Sequence, residues 1–354
     1  MAISEIAPYE MEQAAKLPFM LAELNRLTSA HYCGCPEYRR LLDVLHGGCH
    51  PTDTLEAIPY MPVRLFKQHD LLSVPPRDVV KTMTSSGTSG QSVSKIFLDK
   101  FTASFQIKVL AGIVSSFIGK HRLPMLVIDC PSTVSNRLKF SARTAGILGF
   151  SMFGRNVTYA LTDDMKLDVE TIAAFLERHA NEDILVFGFT AIVWEHLVQQ
   201  LDAKRMTLPL SRAILLHGGG WKKLLSLAVT NDDFKTGLAR TTGIRRVHNY
   251  YGMVEQTGSI FMECEAGHLH SSNHSEIIIR NPIGFNVRGI GEPGLIQLLS
   301  VIPHSYPGHS LLSEDMGELI GIDSCHCGRK GKTFKVHGRI KNAEVRGCSD
   351  TYTR

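Results

Sequence analysis

The chain has 354 residues, of which 44% are hydrophobic and 20% charged, and its formal net charge is +4. That length is ample for a buried core and permits two domains. Because lysine and arginine are scattered and form no dense basic block, the composition argues against a nucleic-acid partner. The N-terminus shows no secretory signal and no apolar run approaches the ~20 residues of a membrane helix, so we expect a cytoplasmic protein without a membrane span.

Residues 1–80 are predicted to form a helical lead-in. Apolar residues at helical spacing predict one helix from Met11 to Leu27 and a second from Pro36 to Leu45. Prolines at positions 51, 59, 62, 75 and 76 then predict an irregular segment without long helices or strands.

Helices and short apolar strands alternate from residue 100 onward. The predicted helices are Thr102–Lys120, Asn136–Leu148, a helix capped by Asp168 that runs to Arg178, and Thr190–Leu201. The predicted strands are Met125–Asp129, Ile184–Gly188, Ala213–His217 and Arg246–Tyr250. This alternation predicts a layered α/β fold with mostly parallel strands, which we assign to a core domain at residues 81–262.

The later part of the chain has strands with little room for helices between them. These strands are Glu276–Arg280, Leu295–Leu299 and Glu318–Ile322. We therefore expect a smaller β-rich subdomain at residues 263–338, followed by a terminal arm at residues 339–354.

One stretch, Thr84 to Lys95, alternates hydroxyl residues with glycines and ends in a lysine. Glycines allow successive backbone N–H groups to line an anion nest, and hydroxyls add donors, so this loop suits a polyphosphate. The candidate phosphate-binding residues are Ser85, Ser86, Gly87, Thr88, Ser89 and Gly90, with Lys95 as a mobile charge. A flexible surface loop is the alternative from composition alone, and Gln91 after Gly90 excludes a Walker loop.

The run Ser-Ser-Gly-Thr-Ser-Gly with its later lysine resembles the phosphate-binding signature of adenylate-forming enzymes, which activate carboxylic acids with ATP. The chain most resembles the acyl-protein synthetases (LuxE type) of the bacterial bioluminescence fatty acid reductase, and the phenylacetate–CoA ligases come next. The segment Ile58–Lys67 supports this resemblance. The stretch from Thr84 to Lys95 departs from the superfamily pattern in two ways. The proline usually found before the lysine is missing, and Lys95 lies later than expected. The resemblance implies the fold of the superfamily's N-terminal domain, with ATP and Mg²⁺ as cofactors.

A second signature is Asn249-Tyr250-Tyr251-Gly252-Met253-Val254-Glu255. A strand end with a buried tyrosine and a solvated glutamate would explain it without any function. It is similar, however, to the superfamily motif Tyr-Gly-x-Thr-Glu, which implies that Tyr251 contacts adenine, Gly252 provides the turn and Glu255 binds Mg²⁺. Val254 stands in the place of the usual threonine, and Gln256 is a candidate to replace the threonine's phosphate contact.

Four further residues match superfamily motifs. Gly218 and Gly219 follow a predicted strand and correspond to the small-residue turn that lines the adenine and acyl pocket. Asp315 resembles the ribose aspartate, and Arg339 matches the Gly-Arg hinge residue that contacts ribose or phosphate. A flexible connector is the alternative for the two glycines, and a turn aspartate and an unremarkable basic residue are the alternatives for Asp315 and Arg339.

The eight cysteines are not expected to form disulfides in a chain of this kind. Cys264, His270, Cys325 and Cys327 have residue types that suit a tetrahedral Cys₃His structural zinc site. His268 or His326 could replace His270, and three buried thiols beside a surface histidine remain the alternative.

Fifteen residues follow Arg339, whereas the superfamily carries a lid domain of roughly a hundred residues after the hinge, so we expect that lid to be absent. Cys348 is nine residues beyond Arg339, which allows a reach of about 30 Å. The terminus Glu344–Asp350 looks like that of the acyl-protein synthetases, where a cysteine accepts the acyl group.

The sequence therefore predicts an enzyme that activates a carboxylic acid, expected to be a fatty acid, as an acyl-adenylate. It then transfers the acyl group to its own Cys348 for delivery to an acyl reductase partner, with Glu255 and Lys95 as the other catalytic residues. The alternatives are a ligase that uses CoA or a carrier protein as acceptor, and a non-catalytic nucleotide-binding module.

Overall fold

The computed structural model describes residues 6–85, 92–135, 141–221 and 228–340. The α-helices in these residues are α1 (Gln13–Gly34), α2 (Pro36–His46), α3 (Leu65–Gln68), α4 (Lys100–Ile118), α5 (Ser132–Ser135), α6 (Ala142–Ser151), α7 (Val169–Arg178), α8 (Thr190–Ile192), α9 (Gln199–Lys204) and α10 (Asn231–Thr242). A π-helical segment, Val193–Val198, joins α8 to α9, and short 3₁₀ helices lie at Leu55–Ala57, Pro76–Asp78 and Val254–Gln256.

The strands of the same residues are β1 (Met61–Pro62), β2 (Val79–Thr84), β3 (Lys95–Asp99), β4 (Leu123–Val127), β5 (Gly154–Tyr159), β6 (Ile184–Phe189), β7 (Ala213–Gly218), β8 (Arg246–Tyr251), β9 (Phe261–Glu263), β10 (Leu269–His270), β11 (Ser275–Arg280), β12 (Pro293–Ser300), β13 (Ser310–Ile322) and β14 (Lys332–Arg339). The strands and helices expected from hydrophobic patterning are present, most with ends shifted by a few residues. Helix α1 continues past the predicted end at Leu27 to Gly34, and β13 begins at Ser310 rather than at Glu318. Of the predicted helix Asn136–Leu148, residues 136–140 lie outside the described residues, and α6 covers the rest from Ala142.

The chain forms two compact units. The parallel unit comprises the described residues between 118 and 250, and its strands follow the order β8-β7-β6-β4-β5, all parallel. Every residue of β6 and β7 is buried, which explains why both strands are continuous apolar runs rather than alternating ones.

The antiparallel unit comprises residues 6–85, 92–117 and 251–340 within the described part of the chain. Its main sheet has the order β11-β12-β13-β14-β10-β9, β1 pairs in parallel with β13, and β2 and β3 form a separate hairpin. Helix α1 packs Met20, Leu24 and Leu27 against Ile278 and Leu299 of this sheet. The lead-in helices thus group with the late strands, a long-range contact that the predicted boundaries after residues 80, 262 and 338 do not anticipate.

Local sequence explains where individual helices begin and end. Pro36 begins α2, where its missing N–H group and preset φ are favourable, and Gly47 ends it in the left-handed region at φ 70°. The Asp168 carboxylate accepts a hydrogen bond from the Thr171 backbone N–H at 3.0 Å and so caps α7, as predicted.

Helix α4 is long and apolar enough to cross a membrane by length and composition alone. The expectation that no apolar run reaches this length was therefore wrong. One such helix is weak support for a membrane span, because a core helix passes the same test. Here Val109, Ile113 and Val114 are buried in the folded chain, whereas Phe101 and Ile107 are exposed.

Candidate functional site

Three of the predicted nucleotide-binding residues meet in the antiparallel unit. The Tyr251 hydroxyl donates a hydrogen bond to Asp315 Oδ2 at 2.7 Å, and Arg339 Nε lies 3.4 Å from Asp315 Oδ1. The meeting follows from strand pairing, because Asp315 of β13 is directly opposite Arg339 of β14. The ring of Tyr251 packs beside Phe261 and Phe334, and burial raises the pKa of its hydroxyl, as does the Asp315 charge. Tyr251 therefore stays a neutral hydrogen-bond donor.

Glu255 lies in the same unit and is only 5% exposed. Burial raises the pKa of its carboxyl group, whereas the Ser94 hydroxyl and the Arg339 charge oppose that shift. A buried carboxylate beside one cation is suited to a ligand that brings additional positive charge.

Gln256 does not face the position that we expected it to fill. Its side-chain Nε2 donates to the backbone oxygens of Leu298 at 3.1 Å and Gly308 at 2.8 Å, so it supports strand backbone. Val254 packs against an apolar core. The geometry therefore gives no support to Gln256 as a substitute for the missing threonine.

The base of the predicted phosphate loop is formed by the β2–β3 hairpin, in which Thr84 pairs with Lys95. Residues Ser86, Gly87, Thr88, Ser89 and Gly90 lie outside the described residues. At the edge of that gap, the Ser85 hydroxyl accepts a hydrogen bond from the Ser94 backbone N–H, and the Ser85 N–H donates to the Ser94 oxygen, both at 2.9 Å. The two ends of the loop are thus held together.

Lys95 is engaged with an acid in this structure. Its Nζ lies 3.1 Å from Asp70 Oδ1, and both side chains are about half exposed, at 46% and 58%. An exposed pair of this kind contributes only about 0–1 kcal/mol, so it would not prevent Lys95 from binding another anion.

Gly218 and Gly219 lie at the carboxyl end of β7 in the parallel unit. A Cβ on Gly218 would lie 2.7 Å from the Tyr250 ring, and Gly219 has φ 90°, so neither position accepts a larger residue without strain. The Thr190 hydroxyl donates to the Gly218 oxygen at 3.0 Å and also contacts His217 Nδ1 at 2.9 Å. Gly252, in the antiparallel unit, is also close-packed, since a Cβ there would meet Ile260 at 3.1 Å.

Four predicted metal ligands form a cluster in the antiparallel unit. The ligand atoms of Cys264, His270, Cys325 and Cys327 all lie within 4.8 Å of one another. The sulfurs of Cys264 and Cys325 are 3.7 Å apart, and Cys327 Sγ lies 3.4 Å from His270 Nε2. His268 is a neighbour of Cys325 but is not a member of the four-residue group.

The protonation tendencies within this cluster differ from one ligand to the next. Burial raises the pKa of the Cys264 thiol to about 12 and lowers the pKa of His270 to about 4. Burial also acts to raise the pKa of Cys327, but the backbone N–H and guanidinium of Arg329 outweigh it and lower that pKa. One imidazole and three cysteine sulfurs form a donor set that suits zinc.

Several residues that sequence inspection missed contribute to these sites. Arg64 Nη2 lies 2.6 Å from Glu314 Oε1 and so holds Glu314, the residue directly before Asp315, in place. The Ser94 hydroxyl faces the Glu255 carboxyl group. The only sequence signal for Arg64 was the resemblance of the segment Ile58–Lys67. Cys348 itself lies outside the described residues.

Comparison with solved structures defines the class of fold. A 2-hydroxyisobutyryl-CoA ligase, solved in an open conformation with 2-HIB-AMP and CoA, matches with a TM-score of 0.70 and 15% identity over 94% of this chain and 77% of that one. The same ligase in its postadenylation state matches with a TM-score of 0.68 and 15% identity, over 94% of this chain and 69% of that one. The chain therefore has the fold of the adenylate-forming ligases, as predicted.

The family model described as acyl-protein synthetase, LuxE, matches residues 2–354. The chain belongs to this family of ligases. A long-chain-fatty-acid–luciferin-component ligase of Vibrio harveyi is 22% identical over 93% of this chain and 88% of the relative. The protein of the same name from Aliivibrio fischeri is 24% identical over 90% and 84%.

Proposed function

We propose that this member of the family activates a carboxylic acid with MgATP and transfers the acyl group to its own Cys348. The observation that carries the proposal is the convergence of Tyr251, Asp315 and Arg339, which come from three separate motifs, beside the buried Glu255. The meeting of residues from separate motifs on one carboxylate supports a shared role in binding a ligand.

Each of these groups has a role that its chemistry allows. The Asp315 carboxylate accepts hydrogen bonds from ribose hydroxyls, and Arg339 binds ribose or phosphate oxygens. Tyr251 lies against the adenine, and Glu255 supplies oxygen to Mg²⁺, whose charge favours the ionised carboxyl group that burial alone disfavours. Lys95 exchanges Asp70 for a phosphate oxygen, and the residues Ser85–Gly90 line the remaining phosphates.

The reaction proceeds in two balanced steps. A carboxylate oxygen of the acid attacks the α-phosphorus of ATP, which forms the acyl-adenylate and releases pyrophosphate. The Cys348 thiolate then attacks the acyl carbon, which forms a thioester and releases AMP. Positioning and charge neutralisation provide the catalysis of the first step, and covalent capture defines the second.

The acid is proposed to be a fatty acid. The parallel unit provides apolar and aromatic side chains, among them Phe187, Phe189 and Trp194, and two relatives carry a long-chain fatty acid in their names. The resulting protein thioester requires a consumer, and we propose a cytoplasmic acyl reductase that receives the acyl group.

We propose further that Cys264, His270, Cys325 and Cys327 bind one structural zinc ion. Three sulfurs and one imidazole nitrogen within 4.8 Å fit a tetrahedral Cys₃His site. Elemental analysis should find one zinc per chain, whereas a metal-free and stably folded protein would contradict the site.

Intact-mass measurement tests the catalytic proposal. Incubation with ATP, Mg²⁺ and a panel of fatty acids should add one hydroxylamine-labile acyl mass to the chain. Cys348→Ser should abolish that mass but retain acid-dependent exchange of labelled pyrophosphate into ATP. Acylation that survives Cys348→Ser would refute the acceptor, and turnover that requires added CoA or a carrier protein would favour the alternative ligase.

A further inference from the structure

Tyr9 borders the metal cluster and has a buried hydroxyl group. The side chain is 5% exposed, and its ring packs edge-on against His270, with ring centroids 6.0 Å apart, and against Phe117 at 5.8 Å. The hydroxyl oxygen has no hydrogen-bond partner among the described residues. Burial raises the pKa of Tyr9 strongly, and Cys264 and Cys327 contribute in the same direction, so the hydroxyl keeps its proton and lies near their sulfurs.

Leaving a buried hydroxyl without a partner costs about 1–3 kcal/mol, so an acceptor supplied at this position would be favourable. A thiol is a weak acceptor, and among the described residues no sulfur of the cluster accepts a hydrogen bond from Tyr9. Metal ligation removes the thiol protons and leaves thiolate sulfurs, and hydrogen bonds to a charged acceptor are roughly twice as strong as neutral ones.

Tyr9 belongs to a segment that is fastened to the loop carrying two of the metal ligands. We call residues 7–13 the N-terminal strap. The Lys330 backbone N–H donates a hydrogen bond to the backbone carbonyl oxygen of Tyr9 at 2.8 Å. The Gln13 backbone N–H donates to Asp323 Oδ2 at 2.9 Å. Asp323 and Lys330 flank Cys325 and Cys327 in the connection between β13 and β14.

A second set of contacts fixes the strap on the other side of the cluster. The Asn273 backbone N–H donates to the Pro8 oxygen at 2.7 Å, and its side-chain amide donates to the Ala7 oxygen at 2.8 Å. Asn273 follows His270 by three residues, so both ligand-bearing segments hold the strap.

We propose that Tyr9 is a positioning residue of the metal centre, whose hydroxyl donates a hydrogen bond to a metal-bound thiolate, Cys264 or Cys327, and couples metal binding to docking of the N-terminal strap. This inference rests on the proposed zinc site but not on the proposed acyl transfer. Residues that hydrogen-bond to metal ligands typically raise the affinity for the metal about 10–100-fold, and we expect an effect of this size from Tyr9.

Tyr9→Phe tests the hydrogen bond, because it removes one oxygen and retains the ring that packs on His270. Chelator competition with the full-length protein should show zinc bound about 10–100-fold more weakly than by the wild type. Tyr306→Phe is the matched control, since Tyr306 also has a buried hydroxyl without a partner among the described residues but packs on Phe66 in a different core. The control should bind zinc with unchanged affinity.

Amide hydrogen exchange tests the coupling to the strap. Zinc removal from the wild type should accelerate exchange at the Gln13, Asn273 and Lys330 N–H groups, and Tyr9→Phe should show part of that acceleration with zinc bound. Equal zinc affinity of Tyr9→Phe and wild type, or unchanged exchange after zinc removal, would overturn the inference. A wild type that binds no zinc would overturn it as well, while leaving acyl transfer to be judged by the intact-mass assay.

Discussion

The two units of this protein use polar residues in different ways. The parallel unit places strands that are close in sequence beside one another, and its most buried charge is the ion pair of Asp129 and Arg143. The antiparallel unit assembles Tyr251, Asp315 and Arg339 from separate motifs and also contains the cysteine cluster and several buried histidines. Its fold therefore keeps polar groups in place by long-range pairing, whereas the parallel unit mainly buries apolar strands.

The largest loss of stability in the parallel unit is expected from breaking its buried ion pair. Arg143 Nε donates to Asp129 Oδ2 at 3.1 Å, and both side chains are at most 5% exposed. Arg143→Met leaves the Asp129 charge buried and unpaired, which should lower the free energy of unfolding by about 3–5 kcal/mol.

Denaturant unfolding measures that loss. Arg240→Met is the control in the same unit, because its pair with Asp202 is exposed and should contribute about 1 kcal/mol or less. Equal losses in the two variants would show that burial does not distinguish these pairs.

Asp315→Asn should have the largest effect on acid-dependent pyrophosphate exchange. It removes the charge that Arg339 faces and leaves a weaker acceptor for the Tyr251 hydroxyl. A hydrogen bond to a charged group contributes about 1.5–3 kcal/mol, so kcat/KM for ATP should fall on the order of 100-fold in pyrophosphate exchange.

Asp183→Asn provides the comparison in the parallel unit. Asp183 also faces two arginines, Arg212 and Arg246, each at 3.2 Å, but these pairs are exposed. The kcat/KM of this variant for ATP should change by less than about threefold, because surface ion pairs contribute little energy. A similar loss in both variants would remove the special role of Asp315.

Acidification should weaken the antiparallel unit more than the parallel unit. Burial lowers the pKa of His31 to about 3 and that of His309 well below its usual value, and both lie in the antiparallel unit, whereas burial lowers the pKa of His217 to about 3 in the parallel unit. The same histidines are protonated near pH 6.5 in the unfolded chain. The free energy of unfolding therefore has its full value above about pH 6.5 and decreases as the pH falls toward 3.

Each such histidine should lower the free energy of unfolding by about 2 kcal/mol between pH 7 and pH 5. Amide exchange at both pH values should show a larger loss of protection in α1, which carries His31, than in β7, which carries His217. The reverse order would mean that the antiparallel unit tolerates histidine protonation by local rearrangement.

The smallest effect is expected at the exposed pair of Lys95 and Asp70. Asp70→Asn frees Lys95 from a competing acid, and the KM for ATP should fall by at most about fivefold, which corresponds to less than 1 kcal/mol. Lys95→Met should instead raise the KM for ATP. No change in either variant would show that Lys95 does not contact the nucleotide.

Much of the fold was predictable because it depends on local patterns. Asp168 was recognised as a helix cap from its position, and the continuous apolar runs of β6 and β7 indicated buried parallel strands. We did not predict from the sequence that α4 is long and apolar enough to span a membrane. Polar residues interrupt its apolar residues, although its mean hydropathy remains high.

The candidate sites were predictable only in part. Asp315, Arg339 and Tyr251 were identified singly by motif, but their contacts with one another depend on the pairing of β13 with β14. Arg64 and Tyr9 carry no motif of their own, and they matter only because chain segments remote in sequence place them beside Glu314 and His270.

The sequence by itself determined the alternation of helices and strands in the core, the resemblance to adenylate-forming enzymes and the residue types of both sites, because these follow from periodicity and local chemistry. Only the tertiary structure decided that α1 packs on β11 and β12, that four metal ligands converge, and that Lys95 faces Asp70. These contacts join residues up to hundreds of positions apart, and their energies depend on burial and on pairing that no local pattern specifies.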